Sequence, residues 1–253
     1  MNRETYGNYE VFYIKKKNGY RRIAAPSPEL KAKQRDLLPF LYSDFNFHAL
    51  SHDVHECFHG FLPERGAKTA ASKHVGYKAT IMMDISNFFD SVQIDDVKDY
   101  IRCSITDMHI HDGSIGQGFC TSPILANIYL VKVVYEIQKV LRLHERVTKH
   151  KYCMTVYADD IQISTNDSSK KNIDGIITLV EQKLKKYKLS INKRKTRVRY
   201  AKHGYRKILG VAVGDNHTRS TRRHNRKIRA AKHQKNGPSL GGLISYQRYI
   251  TQS

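Results

Sequence analysis

The spacing of apolar and polar positions changes several times along the chain, and each change marks an element. Near the start Tyr9, Val11 and Tyr13 are set against Glu10 and Phe12, and Ile14-Lys15-Lys16-Lys17, Asn18-Gly19 and Tyr20-Arg21-Arg22-Ile23-Ala24-Ala25-Pro26 follow. That pattern predicts two short strands about an Asn-Gly turn. From Pro28, Leu30, Leu37, Leu38 and Leu41 with charges between them predict an amphipathic helix. Ala79 to Ile85 is a short apolar run ending in an acid, which reads as a buried strand with a carboxylate at its tip. Ser122-Pro123 opens an apolar segment reaching Leu143, a long buried helix with Pro in its first turn. Thr155 to Ser164 runs apolar, acidic, apolar, and predicts a β-hairpin with Asp159 and Asp160 at its turn. Ile173 to Tyr187 predicts another helix. Lys207 to Val213 is either a strand pair or one strand with a glycine break.

Charge adds a class of partner. The 253 residues hold 44 Lys and Arg against 23 Asp and Glu, a net charge of +21 and a pI near 9.8. Such a surplus attracts polyanions and makes binding steeply dependent on salt. It does not choose between an enzyme acting on nucleic acid and a simple binding module. Between Lys193 and Lys235 there are sixteen Lys or Arg and a single acid, Asp215. Arg222 to Lys235 has helical composition, and a Gly241-Gly242-Leu243-Ile244-Ser245-Tyr246 stretch that reads as folded lies beyond it. A basic subdomain gripping nucleic acid is therefore favoured over a merely solvated face. Cys57, Cys103, Cys120 and Cys153 are too scattered for a zinc site or a disulfide framework, and are expected as separate buried thiols. No apolar run approaches the roughly 20 residues of a membrane span. The polar start does not read as a signal peptide. A cytoplasmic protein is expected, with no membrane partner.

The acids carry the chemistry. Asp84 ends one apolar strand, and Asp159-Asp160 occupy the turn of the hairpin. An Asp-Asp pair alone is common in solvated turns. Flanked on both sides by apolar strand residues, two unpaired carboxylates would repel at a packed hairpin tip, so a cation belongs there. Phosphoryl transfer to a 3′-hydroxyl uses two divalent ions about 3.5–4 Å apart, held by carboxylates such as these. Magnesium prefers hard oxygen ligands, typically one or two carboxylates plus substrate phosphates.

These residues carry a resemblance. Tyr157-Ala158-Asp159-Asp160 resembles the catalytic box of reverse transcriptases, and Asp84 with Phe88-Phe89 resembles their first metal-binding motif. Gln117-Gly118-Phe119-Cys120-Thr121-Ser122-Pro123-Ile124-Leu125-Ala126-Asn127 is similar to the motif that follows it. Asn192 to Thr196 and Ile208-Leu209-Gly210 resemble the next two, the second being the primer-contacting one. Upstream, Lys17 to Ile23 with Pro26 and Leu30-Lys31 resembles the fingers motif of the bacterial enzymes. The series keeps the family's order and covers about residues 10 to 250. Length, the His59-Gly60-Phe61 stretch and the ending around Gly242 to Tyr246 resemble retron-type enzymes. Two places depart from the retron pattern: Ala70-Ala71-Ser72-Lys73-His74 lacks the asparagine of Asn-Ala-x-x-His, and Ile208-Leu209-Gly210 stands where Val-Thr-Gly is common.

The resemblance implies roles. Asp84, Asp159, Asp160 and Lys195 would be catalytic, with Asp84, Ile85, Asp159 and Asp160 holding two Mg²⁺ ions and Lys195 protonating the leaving pyrophosphate. Lys17, Arg21, Arg22, Phe89, Gln117 and Gly118 would bind the incoming nucleotide, the bulk of Phe89 selecting deoxynucleotides. Tyr157, Leu209, Gly210, Arg222, Arg223 and Arg226 would contact primer and template. The implied fold is an α+β right hand: fingers over 1–78, a palm of antiparallel sheet backed by helices over 79–206, and a short helical thumb with the primer grip over 207–253. The implied activity is RNA-directed DNA synthesis by a standalone polymerase. Its partners would be a noncoding RNA template, the RNA/DNA duplex and dNTPs, with an effector protein as a further candidate, as in retrons and related antiviral systems. Two rivals stand beside it: an RNA polymerase of the same hand shape, which Phe89 opposes, and an idle RNA-binding scaffold, which three intact acids oppose.

Overall fold

The structure, a computed structural model, describes residues 3–16 and 19–251. In chain order its elements are β1 (Arg3–Tyr6), β2 (Tyr9–Lys15), β3 (Tyr20–Pro26), α1 (Pro28–Ser51), α2 (Ala67–Ser72), β4 (Ala79–Asp84), α3 (Phe88–Ser91), α4 (Ser122–Thr148), β5 (Tyr152–Tyr157), β6 (Asp160–Thr165), α5 (Lys170–Lys186), β7 (Arg197–Tyr200), β8 (Arg206–Ile208), β9 (Val211–Val213), β10 (Thr218–Ser220), α6 (Arg222–His233) and α7 (Gly237–Thr251). They form two compact units, each built from separate stretches of chain. The first takes Met1–Glu56, Ile85–Gln138 and Gln182–Ser190; the second takes Cys57–Asp84, Lys139–Glu181 and Ile191–Ser253.

In the first unit β1, β2 and β3 make an antiparallel sheet, with Val11 paired to Ala24 and both buried. The β2–β3 strand pair expected from the alternation is present, although Lys17 and Asn18 of its connection lie outside the described residues. Helix α1 starts where its first residues allow: the Ser27 hydroxyl accepts the Leu30 N–H at 3.2 Å, and Pro28 takes a position whose N–H has no partner inside the helix. Ala24, Leu30, Ile110 and Phe119 form a small core with Tyr9 against it. Inside this unit the fully buried Gln34 amide donates to the Asp107 carbonyl at 2.7 Å and accepts from the Cys120 N–H at 3.2 Å, which ties α1 to the loop before α4.

The second unit is organised by a four-stranded antiparallel sheet in the order β5-β6-β4-β7. Its central strands β4 and β6 are almost wholly buried, as their apolar sequences require. Beneath it runs a directional chain of buried hydrogen bonds. The Arg206 guanidinium donates to Thr80 Oγ1 at 3.0 Å, Thr80 and Ser164 hydroxyls meet at 2.7 Å, and Ser164 reaches His74 Nδ1 at 2.8 Å. On the other side His74 Nε2 meets Thr155 Oγ1 at 2.8 Å, and Thr155 donates to Gln162 Oε1 at 2.9 Å. Because Thr155 spends its proton on Gln162, His74 Nε2 must carry the hydrogen and Nδ1 must accept from Ser164. Burial, then the nearby Arg206 charge, push the His74 pKa down to about 3, so the ring is neutral at physiological pH.

A second sheet of this unit, β10-β9-β8, decides the reading left open for Lys207 to Val213: it is a strand pair. Leu209 (φ +47°) and Gly210 (φ +85°) form its two-residue turn, both in the left-handed region that such hairpins need. A leucine is costly there. Its side chain packs against the core of Ala71, Ile208, Val211, Val213 and Ile250, which offsets that cost. Only Cys57 of the four cysteines is buried; Cys103, Cys120 and Cys153 are partly exposed, which corrects the expectation of four buried thiols. Among the described residues no helix is long and apolar enough to cross a membrane. Replacing His74 by Leu leaves the buried Ser164 O–H without its acceptor and the Thr155 oxygen without its donor. The expected loss is about 2–3 kcal/mol, the cost of buried groups left unsatisfied, read as a lower urea midpoint at unchanged slope.

Candidate active site

The register of the four-stranded sheet brings the acids together. Strand β4 pairs with β6 so that Asp84 stands opposite Asp160, and β5 closes on β6 at Tyr157 and Asp160. Ala158 and Asp159 are therefore the whole turn. Ala158 has φ +56°, a left-handed conformation that costs a non-glycine residue on the order of 1–2 kcal/mol. The turn is braced from behind by a segment to which the sequence reading gave no role. Phe58 bridges to Val156, and the His59 N–H donates to the Val156 carbonyl at 2.8 Å. Gly60 then passes so close that a Cβ on it would lie 2.5 Å from the Ala158 nitrogen. A glycine between His59 and Phe61 was the one sequence signal for this support.

Lys195 completes the cluster. Its Nζ donates to both oxygens of Asp84, at 2.7 and 2.9 Å, and the ion pair holds its pKa above the ordinary lysine value. The backbone presents it through a turn: the Asn192 N–H donates to the Asp84 carbonyl at 2.7 Å, and Lys195 and Thr196 N–H groups donate to the Asn192 carbonyl at 2.9 and 3.0 Å. Of its neighbours, Lys193 faces away to Glu181 at 3.5 Å, so Lys195 is the member of the run that meets the acids. Met82, Met83, Asp84, Asp160, Lys195 and Arg197 line a cavity of about 300 Å³.

Like charges are crowded at this end of the sheet. The Asp160 carboxyl is pushed up to about 6, first by burial and then by the charges of Asp159 and Asp84, with Lys195 opposing. A set of crowded hard-oxygen donors suits a divalent cation. Among the described residues no trio of His, Cys, Asp or Glu converges closely enough to cage a metal by itself.

The first unit gathers the other expected residues around β3. Arg22 donates to Asp90 Oδ1 from Nη2 at 2.8 Å and from Nε at 3.2 Å, to Asp112 at 2.5 Å and to Ser114 at 3.1 Å. In this structure Arg22 thus binds the helix that carries Phe89. The Asp112 carboxyl sits at about 2: burial acts to raise it, but hydrogen bonds from Ser114 and Arg22 prevail. Arg21 is exposed one residue before, and Lys17 lies outside the described residues. The Gln117 carbonyl accepts the Ala24 N–H at 2.9 Å. Gly118, at φ +126°, lies where a Cβ would come within 2.3 Å of the Ala24 carbonyl oxygen. Ile85 is buried directly after Asp84.

The comparisons follow this geometry. The family model described as reverse transcriptase (RNA-dependent DNA polymerase) matches residues 14–213. The chain belongs to the reverse-transcriptase family. The Retron Mx65 reverse transcriptase of Myxococcus xanthus is 27 % identical over 285 residues, spanning 98 % of this chain and 62 % of that enzyme. The Retron Se72 reverse transcriptase of Salmonella heidelberg is 26 % identical over 237 residues, spanning 88 % of this chain and 59 % of its own length. The chain thus spans about 60 % of the length of these retron relatives. Telomerase from Candida tropicalis, truncated from its C-terminal domain, superposes with a TM-score of 0.57 at 15 % identity, over 83 % of this chain and 54 % of that one. Telomerase from Candida albicans in complex with a fragment of telomeric RNA gives 0.59 at 13 %, over 84 % and 46 %. The shared fold is the α+β polymerase fold expected from the motifs, and reverse transcriptases generally use divalent metal ions.

Within this reverse-transcriptase fold the remaining residues fall in the second unit. Tyr157 is half-buried at the end of β5 beside the acidic turn, Leu209 and Gly210 form the β8–β9 turn, and Arg222, Arg223 and Arg226 are exposed on α6. Helix α6 is anchored by the Thr221 cap and by His224, whose Nε2 meets the Leu243 carbonyl of α7 at 2.9 Å.

The raised Asp160 pKa has a definite sign. The folded value of about 6 exceeds the ordinary 3.8, so the fold resists the ionised form. The penalty is absent at pH below both values, grows between them and is complete above the higher one. In EDTA, wild-type stability should fall relative to Asp160→Asn as pH rises from about 4 to about 7. Thermal unfolding across that range measures it, and parallel curves would contradict it.

Proposed function

We propose that the chain adds deoxynucleotides to a 3′-end on an RNA template, as an RNA-directed DNA polymerase. The observation that carries this reading is the opposition of Asp84 and Asp160 beside Asp159, three acids crowded at one end of the sheet. Asp84 and Asp159 would bind the cations, two Mg²⁺ ions, with Asp160 as the third carboxylate and the Ile85 carbonyl beside them. When bound, such ions activate the 3′-hydroxyl and neutralise the departing pyrophosphate. Lys195, paired with Asp84 and with its pKa held above the ordinary lysine value, would give its proton to the leaving group. Phe89 would exclude a ribose 2′-hydroxyl, its helix held by Arg22 through Asp90. Gln117 and Gly118 would line the nucleotide pocket, Gly118 because only a glycine allows that approach to Ala24. Lys17 and Arg21 would meet the triphosphate.

The chain after residue 207 would act as the thumb, with Leu209 and Gly210 at the primer and the exposed arginines of α6 on duplex phosphates, without sequence readout. Residues 79–206 would be the palm and those before them the fingers. The identity with retron enzymes supports a noncoding RNA as natural template within a retron-like or antiphage system, with an effector protein as a further partner.

Extension of a DNA primer on poly(rA) with Mg²⁺ and labelled dTTP tests the activity. Wild type should incorporate, and the Asp159→Ala, Asp160→Ala double variant should lose at least about 10³-fold, the scale of removing electrostatic stabilisation at a reacting centre. Phe89→Ala should raise rNTP use relative to dNTP. Wild-type preference for rNTP would favour the RNA polymerase. Failure both on poly(rA) and on RNA copurified from cells would favour the idle scaffold.

A further inference from the structure

Lys193, Arg194 and Lys195 are three successive cations, and the fold treats them differently. Lys195 covers both oxygens of Asp84, whereas Lys193 reaches Glu181 instead. A cation approaching Asp84 therefore meets a carboxylate whose two oxygens are already engaged. The pair is also lopsided: the Asp84 side chain is 14 % exposed and that of Lys195 is 60 % exposed. The acid is fixed in the sheet, whereas the ammonium rides on a solvated four-carbon stem.

We propose that Lys195 is a resident counter-ion of the carboxylate site, occupying Asp84 when no divalent cation does and yielding it when one binds. This rests on the reading of Asp84, Asp159 and Asp160 as metal ligands. Three features of the fold make the exchange a side-chain movement alone. Strand β7 pairs with β4 only as far as Met82 and Arg197, so the tip of β4 has no β7 neighbour and the lysine lies across it. The turn that presents Lys195 is tied to that tip by the Asn192 N–H on the Asp84 carbonyl, so the backbone stays in place whichever cation is bound. The released ammonium remains tethered beside the cluster, where the phosphates of an incoming nucleotide would arrive. An exposed ion pair of this kind adds little to stability. Its effect falls instead on metal affinity: a permanent +1 charge at Asp84 repels a divalent ion and must be displaced before that carboxylate can ligate.

The test uses the full chain without nucleic acid or nucleotide, with Mn²⁺ as the probe and free Mn²⁺ followed by electron paramagnetic resonance. Lys195→Gln should bind Mn²⁺ about tenfold more tightly than wild type, and Lys195→Arg should stay near wild type. In an Asp84→Asn background the Lys195→Gln gain should vanish, because the competition is for that carboxylate. In wild type, acylation of Lys195 by an amine-reactive ester, read by mass spectrometry, should rise when Mg²⁺ is added. This second readout needs no variant to fold. If Mn²⁺ binds, is lost with Asp160→Asn and is indifferent to Lys195→Gln, the metal reading stands and the counter-ion role is overturned. If no variant and no wild type binds Mn²⁺ at the acids, both fall together.

Discussion

Carboxylates held side by side repel, and the pairing of β4 with β6 gives this chain no freedom to separate them. Asp84 faces Asp160 by strand register, and Asp159 stands just before Asp160 in a turn of two residues. The surrounding structure is arranged to keep that conflict in place. Gly60 lets a supporting segment come within contact of the Ala158 backbone, Ala158 takes a left-handed conformation, and Lys195 is brought in on its own hydrogen-bonded turn. Strain and like-charge repulsion confined to one end of a well-packed sheet are what a preorganised reaction centre looks like.

A buried polar network runs through the rest of the sheet. Strands β4, β5 and β6 are tied together by the buried chain from Arg206 through Thr80, Ser164 and His74 to Thr155 and Gln162. Every hydrogen in that chain has a determined direction, which fixes a unique tautomer for His74. The basic surplus acts at longer range: a net charge of +21 attracts polyanions non-specifically, whatever their sequence.

Much of this was legible in the sequence because the periodic segments are long or strongly bounded. The α4 and α5 helices, the β4 strand and the β5–β6 hairpin lie where the apolar spacing put them, within a few residues at their ends, and α1 starts where expected but runs ten residues past Leu41, to Ser51. Strand β1 was missed because its pattern is almost wholly exposed and carries no alternation to read. The choice of Lys195 over Lys193 and Arg194 was also out of reach, since it depends on Asp84, 111 residues away in sequence. The same holds for Arg22, whose partners lie 68 and 90 residues on. His74 looked like the remnant of a motif without its asparagine. Its meaning appears only when β5 and β6 bring two hydroxyls to its ring.

The central claim is that these acids are a site for two divalent ions. Crystals of the protein with a DNA primer on an RNA template, a non-hydrolysable dNTP and Mn²⁺ would test it most directly, through the anomalous scattering of manganese. The account predicts two peaks about 3.5–4 Å apart, both bonded to Asp84 and Asp159 and in contact with the nucleotide phosphates. A filled nucleotide site with no manganese at these carboxylates would contradict it.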